Sequence, residues 1–232
     1  MNQVVRIAIS GTYSTGKTTT TEALSLLSGI PRTHAKTMRE ILPDAIPGKT
    51  LEQCKPAELL QLGIRRFTER AIKESQLDSF ISDGSSLHEW IYGKSRLTVG
   101  INPNDGPYVQ KFKMLMMMPF KKAFEEIIDN FGSVVKSHAK NNYVEFIHLP
   151  VEFPLVEDGH RPVSESFRGL SDRLLLDTLD ELLIPYHVVS GSIQERLDKI
   201  MKIYNWKPII PIEEAIEEAK RRTNLHMSEK EK

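Results

Sequence analysis

Short apolar runs alternate with longer segments in which apolar residues recur every three or four positions, along most of the 232-residue chain. The first run predicts a strand at Val4–Ser10, and Gly16–Ser28 reads as a helix with Ala23, Leu24 and Leu27 as its buried stripe. A short second strand falls at Thr33–Ala35 and leads into residues 36–42; prolines and Gly48 then mark a loop over Pro43–Pro56. In Ala57–Leu77 the residues Leu60, Ile64, Phe67 and Ala71 repeat at helical spacing, which puts Arg65, Arg66 and Arg70 on other faces. A third strand, Phe80–Gly84, closes on an acid. Leu97–Pro107 is a Gly/Asn/Pro-rich loop, and Val109–Lys140 is mainly helical, with Pro119 and Gly132 as expected interruptions.

Tyr143–Leu149 and Tyr186–Val189 supply the last two strands. Between them lie the loop Phe153–Pro162 and a helix carrying Phe167, Leu170, Leu174, Leu175, Leu179, Leu182 and Leu183. Ser192 and Glu195 form a capping-box signature ahead of a helix with Ile193, Leu197, Ile200, Met201 and Tyr204. Pro211 opens a final helix, and residues 226–232 read as a frayed tail. Short strands alternating with helices predict the α/β class, with a five-stranded, mainly parallel sheet and helices on both faces. Residues 1–225 form one domain in this reading, with a helical lid at about 153–173 and a helical insertion at about 93–141. Ligands of such folds sit at the carboxyl ends of the strands, where Gly11, Asp83 and Gly191 would meet.

Gly11-Thr12-Tyr13-Ser14-Thr15-Gly16-Lys17-Thr18 spells G-x-x-x-x-G-K-T directly after the first strand. The glycines let backbone N–H groups converge on one concavity, and the dipole of the following helix favours an anion there. A nucleoside triphosphate is therefore the first candidate ligand, with ATP preferred because no N-K-x-D guanine signature occurs. Lys17 supplies a positive charge for the β- and γ-phosphates, the Thr18 hydroxyl a ligand for Mg²⁺, and Thr19 extends the cradle. The run Thr18–Thr21 is poor helix material, a cost that function at the phosphate end explains.

Asp83, after two apolar residues and a serine, could ligate the metal or accept a substrate proton. The segment from Glu157 to Arg173 carries Arg161 and Arg168, bidentate donors for charge that develops on a transferring phosphoryl group. Arg39 and Glu40 follow the second strand, where they could hold a hydroxylated or charged acceptor or serve as a surface ion pair or helix cap. Composition narrows the partners. Lys plus Arg, at 31, equals Asp plus Glu, at 31, so no global field draws the chain to nucleic acid. A single cysteine, Cys54, fits a reducing compartment, and no apolar stretch approaches the ~20 residues that span a bilayer. These features predict a soluble cytoplasmic protein. The helical insertion is a candidate acceptor pocket or homo-oligomer surface. His88-Glu89 lacks the second histidine of a metal motif, and Met114–Met118 reads as core packing.

With these residues the chain resembles the P-loop nucleoside- and nucleotide-kinase-like proteins. More closely, it resembles the small ATPases related to the ribosylnicotinamide kinase domain of the bifunctional NAD-biosynthesis regulator. The resemblance rests on the Gly11–Thr18 motif, Met38-Arg39-Glu40-Ile41, Ile81-Ser82-Asp83-Gly84-Ser85-Ser86, Tyr92 and Glu157-Asp158-Gly159-His160-Arg161. It implies ATP–Mg²⁺ as phosphoryl donor, Asp83 at the catalytic centre, a lid bearing Arg161, and adenine near Ser190-Gly191-Ser192. Many nucleoside kinases place arginine directly after the strand-ending aspartate; here Gly84 stands in that position. Two functions follow as expectations: a kinase that phosphorylates a small-molecule hydroxyl, or a regulatory ATPase that switches a protein partner.

Overall fold

Five short strands pair in parallel in the order β2-β3-β1-β4-β5 in a computed structural model, the central ones buried on both faces and the edge strand β5 largely exposed. They are β1 (Arg6–Ser10), β2 (Arg32–Thr33), β3 (Phe80–Asp83), β4 (Glu145–His148) and β5 (Tyr186–Val188). The structure describes residues 4–99, 121–152 and 165–230, together with Gly106 and Tyr108. The helices are α1 (Lys17–Ser28), α2 (Met38–Ala45), α3 (Pro56–Ser75), α4 (Ser86–Val99), α5 (Lys121–Asn142), α6 (Glu165–Leu182), α7 (Ile193–Ile203) and α8 (Ile212–Lys230).

Alternation along the strands divides the core into two layers. Ala8, Phe80 and Phe146 face α4, α5 and α6, where Leu87, Trp90, Val135, Phe167 and Leu175 pack. Ile7, Ile9, Ile81 and Ile147 face α1, α7 and α8, against Leu24, Leu27, Leu197, Ile200 and Ala215. The result is a three-layer α/β sandwich. The chain leaves β1 toward β2 and β3, then crosses to β4 and β5 on the other side. Its order therefore reverses beside β1, and the crevice at that reversal is where such sheets bind ligands.

Several elements differ from the sequence expectation for identifiable reasons. α2 continues through Pro43 to Ala45, because in a two-turn helix the proline deletes a single N–H donor. The buried face of α3 is Leu62, Gly63, Arg70 and Glu74, while Ile64 is exposed. Arg70 thus points inward, since the polar ends of β3 need partners. α5 runs unbroken through Gly132, whose missing side chain admits Trp90: a Cβ there would lie 2.6 Å from Trp90 Nε1. Leu183 follows α6 with φ 55° and is exposed rather than buried. α8 extends to Lys230, past the expected fraying point. Met114–Met118, Pro119 and Arg161 lie outside the described residues.

Candidate active site

The chain turns sharply at the end of β1 because Gly11 adopts φ +137°, and a Cβ there would meet the Leu149 carbonyl oxygen at 2.5 Å. Ser14 (φ 59°) and Gly16 (φ 81°) complete the turn, and Gly16 caps α1 without any side-chain hydrogen bond. The first turn of α1, which holds Thr18 and Thr19, carries no acidic residue, so its N-terminal dipole is left for an outside anion. The Thr12 and Ser14 hydroxyls are buried with no hydrogen-bond partner among the described residues. Thr15 Oγ1 and Lys17 Nζ both donate to the Thr12 carbonyl, which holds the loop closed on itself. Tyr13 stacks on Tyr92 of α4 (centroids 4.8 Å apart) and on Phe167 of α6 (6.1 Å).

His88 braces the loop from α4. Its Nδ1 accepts the Ser85 N–H at 3.1 Å, which leaves Nε2 as the donor to the Gly11 carbonyl, also at 3.1 Å. Burial, with the nearby charges of Lys17 and Arg70, holds its pKa well below the ordinary 6.5, so the ring is neutral. From the other side Arg196 of α7 donates to the Thr15 carbonyl.

Asp83 stands beside this loop because β1 and β3 are paired, with Ile9 opposite Asp83 and the Gly84 N–H donating to Ile9 O at 3.0 Å. Its Oδ2 is 3.4 Å from Arg32 Nη2. Arg32 also pairs with Glu22 of α1, and Glu22 pairs with Arg222 of α8 at 2.9 Å. Beneath Asp83 lies buried Arg70, which donates to Ser82 Oγ at 2.7 Å and to the Asp83 carbonyl at 3.2 Å. Burial opposes its charge, but Tyr143, Glu74, Glu89 and Asp83 outweigh that and raise its pKa. Glu74 in turn accepts from Ser82 and Tyr143. Arg70 Nη2 lies 3.4 Å from where a Cβ on Gly84 would stand, so the space beside the strand end is filled by a guanidinium from α3.

Arg168, on α6 one residue after Phe167, is 1% exposed. Its Nη1 is 3.4 Å from Glu165, while Nε and Nη2 have no hydrogen-bond partner among the described residues. Buried N–H donors without partners are costly, and an anion would satisfy them. Gly191 (φ 108°) and Ser192 form the turn into α7, where Ser192 and Glu195 make the expected reciprocal cap. Glu40 closes a capping box with Thr37 at the start of α2, and Arg39 is next to it on the same helix. Between α2, α3, α4 and α5 opens a cleft. Its walls are apolar, Met38, Leu60, Leu97, Phe124 and Phe131 among them, and its polar side chains are Glu89 and Arg96. The Glu89 carboxylate is fully buried, 3.2 Å from Arg66 and 3.8 Å from Arg70, and neither oxygen has a hydrogen bond among the described residues.

A family profile described as an AAA domain matches residues 6–196, from β1 to the buried Arg196. The chain belongs to this family of P-loop NTPases. No curated protein matches significantly in sequence. Among solved structures, deoxyadenosine kinase from M. mycoides with bound dATP superposes with TM-score 0.58 at 17% identity, over 86% of this chain and 98% of the other. The same kinase with products dCMP and a flexible dCDP gives 0.55 at 17%, over 86% and 97%. With bound dCTP it gives 0.53 at 16%, over 86% and 98%. At such identity the likeness establishes a shared fold.

In this AAA-domain protein the Gly11–Thr18 loop and Asp83 lie together at the carboxyl ends of β1 and β3, Gly191 and Ser192 follow β5, and Arg168 stands at the start of α6 next to Phe167, which stacks on Tyr13 of the loop. Arg161 lies outside the described residues. Sequence reasoning missed Arg32, Arg70, His88, Glu89 and Arg196. For the two arginines of α3 and α7 a signal existed: a charge interrupting, or next to, an apolar stripe, as Arg196 does beside Leu197 and Ile200. Among the described residues no cluster of three or more metal-binding side chains occurs, and no helix is long and apolar enough to cross a membrane.

Proposed function

We propose that this protein is an ATP-dependent kinase that transfers the γ-phosphoryl group to a hydroxyl of a nucleoside-like or other small metabolite. The observation that carries the reading is the pairing of Ile9 with Asp83, which sets a carboxylate on the strand next to the phosphate loop. Lys17 and Arg168 stabilise charge on the migrating group, and the loop N–H groups hold the β-phosphate. Asp83 orients the acceptor hydroxyl and takes its proton as the new P–O bond forms and ADP departs. Thr18 and Asp83 offer hard oxygen donors of the kind Mg²⁺ prefers, and that ion commonly takes only one or two ligands from protein when phosphates and water complete its shell. When bound, Mg²⁺ neutralises phosphate charge.

The cleft favours transfer over hydrolysis, since an enzyme that uses water as acceptor has no need of it. Its apolar walls suit a ring system. The test is turnover of MgATP with a panel of uncharged nucleosides and of phosphorylated metabolites, read as ADP and as acceptor mass. We expect a phosphorylated product from the uncharged set, and none from Lys17→Ala. Inorganic phosphate as the sole product overturns the kinase reading and leaves a regulatory ATPase; undiminished transfer by Lys17→Ala overturns the mechanism.

A further inference from the structure

We propose that Arg196 is a positioning residue, which aims the Gly16 N–H at the bound phosphates and, through Glu152, fixes the Gly191 turn to the same loop. The inference rests on the phosphate loop binding polyphosphate. The guanidinium is fully buried and packs against the loop: a Cβ on Gly16 would sit 3.4 Å from Nη1. Nη1 donates to the Thr15 carbonyl at 2.5 Å. In a planar trans peptide the C=O and the following N–H point in opposite directions. Holding the Thr15 oxygen toward α7 therefore turns the Gly16 N–H away from Arg196, to the phosphate side of the loop.

The second arm of the guanidinium, Nη2, donates to Glu152 Oε2 at 2.8 Å. Glu152 also accepts the Gly191 N–H, at 3.0 and 3.1 Å from its two oxygens. Gly191 has φ +108°, a backbone conformation that residues with side chains rarely adopt, so the turn is specific to glycine. A rigid fork with donors at fixed separation is needed to hold a carbonyl and a carboxylate together; an ammonium group on a flexible stem lacks that shape. Arg196 thus joins two turns that are remote in sequence and that flank the nucleotide in the proposed reading. The hydrogen bonds to Arg196 and to the Gly191 N–H also keep the Glu152 carboxyl below its ordinary pKa, so the bridge is charged at neutral pH.

Calorimetric titration of the full-length protein with MgATP and, separately, with inorganic tripolyphosphate separates the two arms. Arg196→Lys should weaken tripolyphosphate at least tenfold and raise KM for ATP more than it lowers kcat, while circular dichroism shows a folded chain. Glu152→Gln should weaken ATP more than tripolyphosphate, because it loosens only the Gly191 arm. A folded Arg196→Lys that binds tripolyphosphate as tightly as the wild type overturns the proposal. Should Arg196→Lys fail to fold, Glu152→Gln decides: an unchanged ratio of ATP to tripolyphosphate affinity overturns it. A wild-type chain that binds no tripolyphosphate is a different result, which removes the kinase reading and the proposal with it.

Discussion

Arg168 combines a structural cost with a chemical use. Two of its buried guanidinium nitrogens have no partner among the described residues, an arrangement that costs stability when no ligand supplies one. Arg168→Met should therefore lower kcat by about 10²–10³, the range for loss of a donor to transition-state charge, while the thermal midpoint holds or rises. Equal loss of stability and activity in melting and turnover assays would count against the role. Gly11 makes the opposite case: both its φ and the 2.5 Å approach to Leu149 O forbid a side chain. Gly11→Ala should cost about 2 kcal/mol or more in denaturant unfolding and eliminate nucleotide binding. At this scale the sequence disclosed what is local. The glycines, lysine and threonine of the phosphate loop act within eight consecutive positions, so their order carries the chemistry. His88 and Arg196 act on residues 77 and 181 positions away, and no spacing rule reaches that far.

Among the elements, the α4–α5 crossing depends on the single hydrogen of Gly132. A methyl group there would meet the Trp90 indole at 2.6–2.9 Å, between two helices that also share Ser86 Oγ donating to Val135 O. Gly132→Ala should destabilise the fold by about 1–3 kcal/mol, measured by urea unfolding, with turnover per folded molecule unchanged. A glycine that admits a neighbour and a glycine that ends a helix look alike in a sequence, which is why this position reads as a break. α3 misled for a related reason. Its apolar period pointed to Leu60, Ile64 and Phe67, yet the helix turns Arg70 and Glu74 inward to satisfy Ser82 and Tyr143. Leu60 and Phe67 do pack against the core, but where a core contains a polar network, hydrophobic spacing alone misses the most deeply buried positions.

For the whole molecule, the neutral state of His88 sets a pH dependence. Its folded-state pKa lies well below 6.5, the ordinary value that applies once the chain unfolds. As pH falls through 6.5, the unfolded state takes up a proton that the folded state refuses, so stability declines by up to about 1.4 kcal/mol per pH unit. His138, also lowered by burial, acts in the same direction. Thermal midpoints taken from pH 7 to pH 5 should fall, and His88→Gln should flatten that slope in part; an unaltered slope refutes the assignment. The parallel sheet and its order of elements were legible because buried strands and helix stripes are periodic. The charged contacts that join one layer to another are not.

One such connection has a practical consequence. Arg222, Glu22, Arg32 and Asp83 alternate in sign from the last helix to the end of β3. Clipping the chain ahead of residue 222 would leave Glu22 to draw Arg32 more strongly and slacken the hold on Asp83. Trimmed preparations would then keep the sheet intact but display altered turnover, and assays on shortened and full-length protein would not be interchangeable.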